Sequence, residues 1–304
     1  MPIEISRTTP TQVALVTCSE LPNLDTDTQL LIAPLVAQGV SVMPVIWDDP
    51  KVNWTAFDLV VVRSCWDYTH RRAEFLSWAS RVPRLSNPAE VLAWNTDKQY
   101  LLDLIRHGIP VIPTTWVLPA HQWHPPDQGE WVIKPTVSMA SLDTGRYRMY
   151  NPDQHHMAVI HMQRLQNTGR TVMVQPYLDG VDTEGETSLV YIDGVFSHAM
   201  RKGTVLDGPD VGIDRRFQHN GGLNLQARQP TPAQLSLAEK VLTAVPGTRD
   251  RLLYARVDLL PLPDGTPVLI ELELTEPQLY LGHTIGAADR LAVAIATQAR
   301  SALL

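Results

Sequence analysis

Residues 253–277 read LYARVDLLPLPDGTPVLIELELTEP, and the fold of the whole chain can be interpreted from this stretch outward. An Asp-Gly pair at positions 264 and 265, between two alternating segments, predicts a β-hairpin. Arg256 and Asp258 fall on one face of the first strand, and Glu271 and Glu273 fall on one face of the second. The apolar residues predicted on the opposite face of the second strand are Ile270, Leu272 and Leu274. If the strands pair around the turn, three carboxylates therefore share one face beside an arginine.

Three carboxylates this close repel one another, and each raises the pKa of the others unless a cation lies among them. Oxygen ligands of this kind suit Mg²⁺, which commonly bridges protein carboxylates and nucleotide phosphates. The alternative is a solvated hairpin face without a ligand. Acidic residues are depleted in strands, so a cluster of them favours the metal site formed by Asp258, Glu271 and Glu273.

The composition excludes several classes of protein. The 304 residues suffice for two or three domains, and 44% apolar with 19% charged residues is typical of an ordinary globular protein. A net charge of −7 without a Lys/Arg-rich run argues against a nucleic-acid partner. The sequence shows no signal-peptide pattern and no apolar run of membrane-spanning length, which predicts a cytoplasmic protein. Two cysteines, Cys18 and Cys65, make neither a disulfide framework nor a zinc-binding pattern.

Residues 1–92 are predicted to form an open α/β domain, from apolar runs at 12–17, 40–47 and 57–64 and helical patterns at 28–38 and 72–80. No G-x-G-x-x-G follows the first run, so a dinucleotide-binding domain is excluded. Ligands of open sheets bind beyond the carboxyl ends of the strands. The charged residues at those ends are Asp25, Asp27, Arg63 and Asp67. They are candidates to hold a small zwitterion, or alternatively to form local loop salt bridges and turns.

The middle of the chain carries two lysines in suggestive places. A helix is predicted over residues 96–106, with Lys98 in its first turn, where a cation is unfavourable for the helix dipole and thus hints at a phosphate. Lys134 ends a predicted strand at 130–135, and a hydroxyl-rich loop follows at 136–147. Such a loop can cradle phosphates, although it is not a P-loop. The remaining predicted elements are a helix at 153–166, a strand at 171–178, a hairpin at 185–203, a long loop at 205–230, and helices at 231–244 and 287–303.

These parts, in this order, resemble the ATP-grasp superfamily over almost the whole chain. The resemblance implies an α/β and α+β protein: the open domain at 1–92, then two α+β subdomains at 93–174 and 175–304 that clamp ATP. The ATP-binding residues implied by the resemblance are Lys98, Lys134, Ser138, Ser141, Gln175, Tyr177, Leu178, Asp182, Glu184 and Arg201. The lysines and the two serines would hold phosphates, residues 175–178 the adenine, Asp182 or Glu184 the ribose, and Arg201 the transferred phosphate.

Two positions depart from the superfamily pattern. The last metal ligand is usually an asparagine in Glu-x-Asn, whereas this chain has Glu271-Leu-Glu273, which makes the expected site for two Mg²⁺ ions more negative. The phosphate-covering loop has Met139 and Ala140 where glycine is common.

The strings VALVTCSELPNLDTD, VVRSCWDY, RTVMVQPYL, GETSLVY and LIELELTEP resemble a subfamily of small ligases, those that close the ring of D-cycloserine from O-ureido-D-serine. The resemblance implies an ATP- and Mg²⁺-dependent ligase that activates a small substrate's carboxylate as an acyl phosphate for intramolecular attack by nitrogen. Arg256 and Arg201 would be the catalytic cations, and Arg256 would also contact the amino-acid-like substrate. The alternatives are an intermolecular carboxylate–amine ligase and a non-catalytic nucleotide-binding regulatory protein. The sequence leaves the oligomeric state open.

Overall fold

The computed structural model describes residues 10–204, 206–212, 224–247 and 252–301. Three sheets follow one another along the chain. The strands of the first are β1 (Thr11–Thr17), β2 (Val40–Ile46), β3 (Leu59–Ser64) and β4 (Leu85–Ser86). Those of the second are β5 (Thr115–Val117), β6 (Glu130–Pro135), β7 (Gly145–Arg148) and β8 (Val172–Pro176). Those of the third are β9 (Glu186–Ile192), β10 (Val195–Lys202), β11 (Leu225–Ala227), β12 (Tyr254–Pro261) and β13 (Pro267–Glu273).

The described helices are α1 (Thr26–Gln29), α2 (Ile32–Ala37), α3 (Arg72–Ala79), α4 (Ala89–Asn95), α5 (Tyr100–Arg106), α6 (Pro152–Asn167), α7 (Gly180–Thr183), α8 (Pro232–Thr243) and α9 (Ala287–Ser301). Short 3₁₀ helices lie at Trp54–Ala56, Trp66–His70 and Leu281–His283. None of the described helices combines the length and the apolar character that crossing a membrane requires.

The first sheet is parallel, with strand order β2-β1-β3-β4, which confirms the predicted open α/β architecture. Its central strands are apolar on both faces because helices cover both sides. One of those helices is α9, whose Leu291 and Ile295 are fully buried in the same core as Leu15 of β1. The chain therefore returns at its end to the sheet with which it began.

Two predicted helices have other bounds in the structure. The helix expected at 28–38 is divided into α1 and α2, and Asp25 caps α1 by accepting from the backbone N–H groups of Asp27 and Thr28. For the helix predicted at 96–106, the predicted start is wrong. In the structure α4 ends at Asn95 and α5 begins at Tyr100. Lys98 thus lies in the connection between two helices, so the helix-dipole argument does not apply to it.

The second sheet is antiparallel in the order β5-β8-β6-β7, and α6 covers one face of it. The third sheet is also antiparallel, in the order β11-β10-β9-β12-β13. Its two tight hairpins turn where the sequence predicted them. Asp193 and Gly194 have φ angles of 50° and 72°, and Gly265 has a φ of 83°, which Asp-Gly pairs favour.

The acidic hairpin has the predicted pairing, with one irregularity. Arg256 lies opposite Glu273 and Asp258 lies opposite Glu271, but the register shifts immediately afterwards, so that Ile270 is an extra residue on β13. A bulge of this kind interrupts the alternation of faces. Ile270 therefore joins the apolar cluster around Leu260, and its predicted position beside Leu272 and Leu274 is wrong.

Amide and phenol side chains hold β13 against the helices before the second sheet. β13 is an edge strand, so its outer backbone groups need partners. Asn95 donates to the carbonyl of Leu272 and accepts from the N–H of Leu274, at 2.7 and 2.8 Å. The hydroxyl of Tyr100 accepts from the N–H of Leu272 at 2.7 Å. These bonds fix the acidic hairpin relative to the connection that carries Lys98.

Candidate active site

A cavity of about 470 Å³ lies where the second and third sheets face each other, beside the carboxyl end of the first. One end is apolar, the middle is strongly charged, and the far end is aromatic and acidic. These three environments suit a ligand that has a flat apolar group and a charged middle, together with a second, small polar ligand.

The apolar end is formed by the cluster of Ile112, Leu178, Leu260 and Ile270. Gln175, Tyr177 and Leu178, predicted to contact adenine, all line this end. The buried Gln175 amide donates to the hydroxyl of Thr114 at 2.9 Å, which fixes its orientation. A planar base would therefore find apolar walls and a strand of exposed backbone, as expected for a nucleotide-binding site.

Lys98 and Lys134, expected at the phosphates, reach the charged middle of the cavity from two different elements. The Lys98 ammonium lies 3.1 Å from a Glu271 carboxylate oxygen and donates to the carbonyl of Ser138 at 2.6 Å. Burial lowers the pKa of Lys134 to about 8, with the neighbouring Lys98 acting in the same direction and Glu271 acting against it. A polyanion placed here would restore the full charge of Lys134.

The three carboxylates of the hairpin all line the cavity, and Arg256 lies among them. Arg256 donates to both oxygens of Asp258, at 2.9 and 3.2 Å from its Nε, and it also pairs with Glu273. Burial raises the pKa of Glu273 to about 7, with the charges of Glu271 and Asp258 adding to the effect and Arg256 opposing it. The pKa of Glu271 is lowered despite burial, because Lys98 and Lys134 favour its charged form.

No three His, Cys, Asp or Glu side chains in the described ranges converge into a ready-made metal cage. The donor set still fits Mg²⁺ in a nucleotide site. There the ion is held by one or two carboxylates together with substrate phosphates, and it keeps several waters. Asp258, Glu271 and Glu273 are three carboxylates at the charged middle of the cavity, so one or two of them would be available to each ion.

The structure does not bring Arg201 to this cavity. Its guanidinium donates instead to the carbonyls of Glu184 and Thr183, at 2.8 and 3.3 Å. Consecutive residues of a strand face opposite sides, so Lys202 lines the cavity in its place and pairs with Glu186 at 2.5 Å. Lys202 lies directly opposite Glu186 only because Ser197 is an extra residue that shifts the hairpin register by one. Counted from the Asp-Gly turn alone, Arg201 would lie opposite Glu186, so no local signal in the sequence pointed to Lys202.

The two candidates for the ribose, Asp182 and Glu184, also lie outside the cavity lining. Asp182 accepts hydrogen bonds from the hydroxyls of Tyr177 and Thr204, at 2.7 and 2.9 Å. The Glu184 side chain is 63% exposed. Glu186, two residues further along, is the acid of this segment that lines the cavity.

The hydroxyl-rich loop lies over the charged middle, and Ser138 and Ser141 line the cavity as predicted. Ala140, Ser141 and Asp143 have φ angles of 46°, 57° and 53°, in the left-handed region that non-glycine residues rarely adopt. The carboxylate of Asp143 accepts from Arg164 of α6 at 2.7 Å and pairs with a second arginine of the same subdomain. The loop is therefore tied down at one end and strained near the cavity.

The N-terminal candidates for a zwitterion, Asp25, Asp27, Arg63 and Asp67, are not among the residues that line the cavity. Asp25, Arg63 and Asp67 are buried and Asp27 is half-buried, and all four form structural contacts. Asp25 caps α1, and Asp67 accepts from the indole N–H of Trp47 at 2.9 Å. Asp27 and Arg63 instead bind the loop around residues 277–281, through its backbone.

The predicted segment of the first domain does reach the cavity, with different side chains. Trp66 and Tyr68 line its aromatic end, together with Glu276, Gln278 and Tyr280 from the loop after β13. These five residues were not among the predicted site. Their neighbours Asp67 and Arg63 carry charge and drew attention, whereas aromatic residues after a strand are more often core residues.

Comparisons with known proteins agree with this geometry. The family model for the N-terminal domain of D-cycloserine synthetase DcsG matches residues 13–90. The cycloserine biosynthesis protein DcsG of Streptomyces lavendulae is 37% identical over 302 residues, covering 93% of this chain and 97% of that protein. The crystal structure of D-cycloserine synthetase DcsG is similar with a TM-score of 0.81 at 35% identity, over 95% of this chain and 99% of that one.

The fold is shared beyond these relatives. D-alanine–D-alanine ligase from Bacillus anthracis matches with a TM-score of 0.64 at 14% identity, over 96% of this chain and 99% of that chain. Fold and cavity together define an ATP-grasp ligase, an enzyme that forms C–N bonds at the expense of ATP. Within that class, the chain belongs to the family of the D-cycloserine synthetase DcsG. The resemblance predicted from the sequence is thereby confirmed.

Proposed function

We propose that this enzyme closes the ring of O-ureido-D-serine to give D-cycloserine, releasing ADP and phosphate. The observation that carries the proposal is that one cavity is lined by an apolar cluster, by three lysines, by the three hairpin carboxylates Asp258, Glu271 and Glu273 (the carboxylate trio), and by the aromatic residues Trp66, Tyr68 and Tyr280. The 37% identity with a cycloserine biosynthesis protein supports the choice of substrate. The ureido nitrogen that is bonded to oxygen attacks the acyl phosphate and still carries its carbamoyl group after ring closure. Hydrolysis of that carbamoyl group to CO₂ and ammonia gives D-cycloserine and completes the atom balance.

Different residues of the cavity would bind the base, the phosphates and the metal ions of the nucleotide. The cluster around Ile112 and Leu260 would hold the base, and Lys98, Lys134 and Lys202 would face the phosphates. Asp258, Glu271 and Glu273 would hold Mg²⁺, for which we propose two ions. When bound, ATP supplies the phosphoryl group that activates the substrate carboxylate, and Mg²⁺ neutralises the charge of the phosphates.

The protein's own contribution is positioning and charge. Phosphoryl transfer needs little covalent participation by side chains, so no Ser-His-Asp or Cys-His arrangement is required. Arg256 and Lys202 are the buried cations beside the three hairpin carboxylates Asp258, Glu271 and Glu273. We propose that these two cations stabilise the negative charge that develops on the transferred phosphoryl group. The loop bearing Ser138 and Ser141 would exclude water, which protects an acyl phosphate from hydrolysis. ATP as co-substrate points to the cytoplasm as the site of the reaction.

The test is to incubate the enzyme with O-ureido-D-serine, ATP and MgCl₂, and to measure ADP, ammonia and D-cycloserine, the last by mass spectrometry. We expect all three products, and none without Mg²⁺. If ADP forms only after a second amine is added and the product is an open amide, the cyclisation fails while the ligase assignment stands. Binding of ATP without ADP formation across a panel of small amino acids would favour a regulatory protein instead.

A further inference from the structure

Five carboxylates line the cavity: Glu186, Asp258, Glu271, Glu273 and Glu276. The first four each form an ion pair with a lysine or an arginine. Glu276 differs from them: within the described part of the chain, no lysine, arginine or histidine pairs with it. A buried carboxylate without a paired cation is costly in its charged form, so it either takes up a proton or binds a positively charged group.

The surroundings of Glu276 are closed and aromatic. Glu276 is 8% exposed, and the phenol of Tyr68, which is 4% exposed, is close enough to favour the charged form of its carboxylate. Trp66 lies on the same wall and is 6% exposed. Burial, with the neighbouring charge of Glu273, raises the pKa of Glu276 to about 8. A ligand with a positive charge would relieve this cost, and the aromatic rings would add cation–π attraction.

The position of Glu276 selects among cations. It follows Glu273, the last carboxylate of the trio, by three residues, and both line one cavity. The substrate carboxylate must lie near the trio to receive a phosphoryl group. In an α-amino acid the ammonium and the carboxylate groups are both bonded to the α-carbon, so they lie close together. A group that binds the ammonium must therefore lie directly beside the trio, as Glu276 does.

We propose that Glu276, buried beside Trp66 and Tyr68, is the subsite for the α-ammonium group of the substrate. The inference rests on the proposed function and deepens it. In this arrangement the loop after β13 recognises the amino acid. The carboxylates of Asp258, Glu271 and Glu273 then remain available to the metal. Trp66 and Tyr68 of the first domain close the subsite, which makes that domain part of the substrate pocket.

The test is a thermodynamic cycle that combines two forms of the enzyme with two substrates. Wild type and Glu276→Gln are each assayed for ADP release with O-ureido-D-serine and with its desamino analogue, in which hydrogen replaces the ammonium group. Truncating one partner of a buried charge pair costs at least about 2 kcal/mol, or about 30-fold. We expect the variant to lose at least about 30-fold in kcat/KM for O-ureido-D-serine, mainly through KM. With the desamino analogue, variant and wild type should agree within about threefold.

Two controls make the outcome specific. Glu20→Gln, at an exposed position outside the cavity, should match wild type with both substrates. Glu276→Gln should melt no lower than wild type near neutral pH, because a carboxyl group with a pKa of about 8 is largely uncharged there and glutamine has nearly its shape. Tyr68→Phe keeps the ring and removes the hydroxyl that favours the charged form of Glu276, so it should lose less with O-ureido-D-serine than Glu276→Gln does.

Each other result overturns the inference in a recognisable way. Equal losses of Glu276→Gln with both substrates would assign Glu276 to proton transfer or to the metal, and a raised Mg²⁺ requirement would select the metal. No loss with either substrate would remove Glu276 from the substrate site. If wild type releases no ADP with O-ureido-D-serine, the proposed function has failed, and the same cycle run with whichever amino acid the enzyme activates decides the role of Glu276.

Discussion

The carboxylate of Asp27 accepts hydrogen bonds from the backbone N–H groups of Leu279 and Leu281, at 3.0 and 2.6 Å. Between them lies Tyr280, whose φ of 55° is left-handed and whose ring lies 5.4 Å from the guanidinium carbon of Arg256. A strained conformation of this kind persists only where the surroundings enforce it. The N-terminal domain therefore shapes the active site through the backbone of a loop more than 250 residues away in sequence.

Replacing Asp27 by Asn should disturb that loop while leaving the nucleotide end intact. The amide presents an N–H to one of the two backbone N–H groups, and an unsatisfied buried group costs about 1–3 kcal/mol. We expect kcat/KM for the amino-acid substrate to fall about tenfold, with unchanged affinity for an ATP analogue. Steady-state kinetics and calorimetry check this, with Asp127→Asn as the exposed control. A parallel loss of nucleotide affinity would show that Asp27 supports the fold in general.

Replacing Glu271 by Gln should lower turnover by orders of magnitude, because it removes a carboxylate that pairs with Lys98 and that we propose as a ligand of Mg²⁺. The binding of nucleotide should survive in part, through the apolar end of the cavity. The measurement is ADP release against Mg²⁺ concentration, together with the affinity for an ATP analogue. An active Glu271→Gln enzyme would exclude Glu271 as a metal ligand.

The affinity for ATP should fall as pH rises above about 8. The pKa of Lys134 is depressed to about 8 in the free protein, and a bound polyphosphate favours the charged form, so binding takes up a proton above that pH. By linkage, we expect affinity for an ATP analogue to fall about fivefold between pH 8 and pH 9. Lys134→Arg stays charged over this range and should show a flatter profile. Equal profiles for the two proteins would assign the titration to another group.

The loop over residues 138–145 should gain protection from hydrogen exchange when an ATP analogue binds. Its small and hydroxyl side chains bury little, and three of its residues hold left-handed conformations, so its opening requires little free energy. Asp143→Asn removes the charge that pairs with Arg164, and should speed exchange of the loop with and without nucleotide. Equal exchange of the wild-type loop in both states would show that it does not close over the phosphates.

The sequence by itself determined the acidic hairpin and, from it, the class of enzyme. Alternation and an Asp-Gly turn are local signals, so they were enough to predict a hairpin with Arg256 and three carboxylates on one face. The pairing of Arg256 with Glu273 and of Asp258 with Glu271 is seen only in the structure, where a bulge at Ile270 shifts the register. The order of the other parts predicted Gln175, Tyr177, Leu178 and both lysines as nucleotide contacts, and all of them line the cavity. Lys98 was found for a reason that proved wrong, since it lies between two helices.

The tertiary structure alone decided which neighbouring residue faces the cavity. Lys202 rather than Arg201 lines it, and Trp66 and Tyr68 line it where Arg63 and Asp67 were expected. Which side of a segment is the inner side depends on the packing of strands and loops that lie far apart along the chain, and no local period encodes it. Arg63 shows this directly: its guanidinium donates at 2.9 Å to the carbonyl of Pro277, so the charge that indicated a ligand is used to hold the wall of the site.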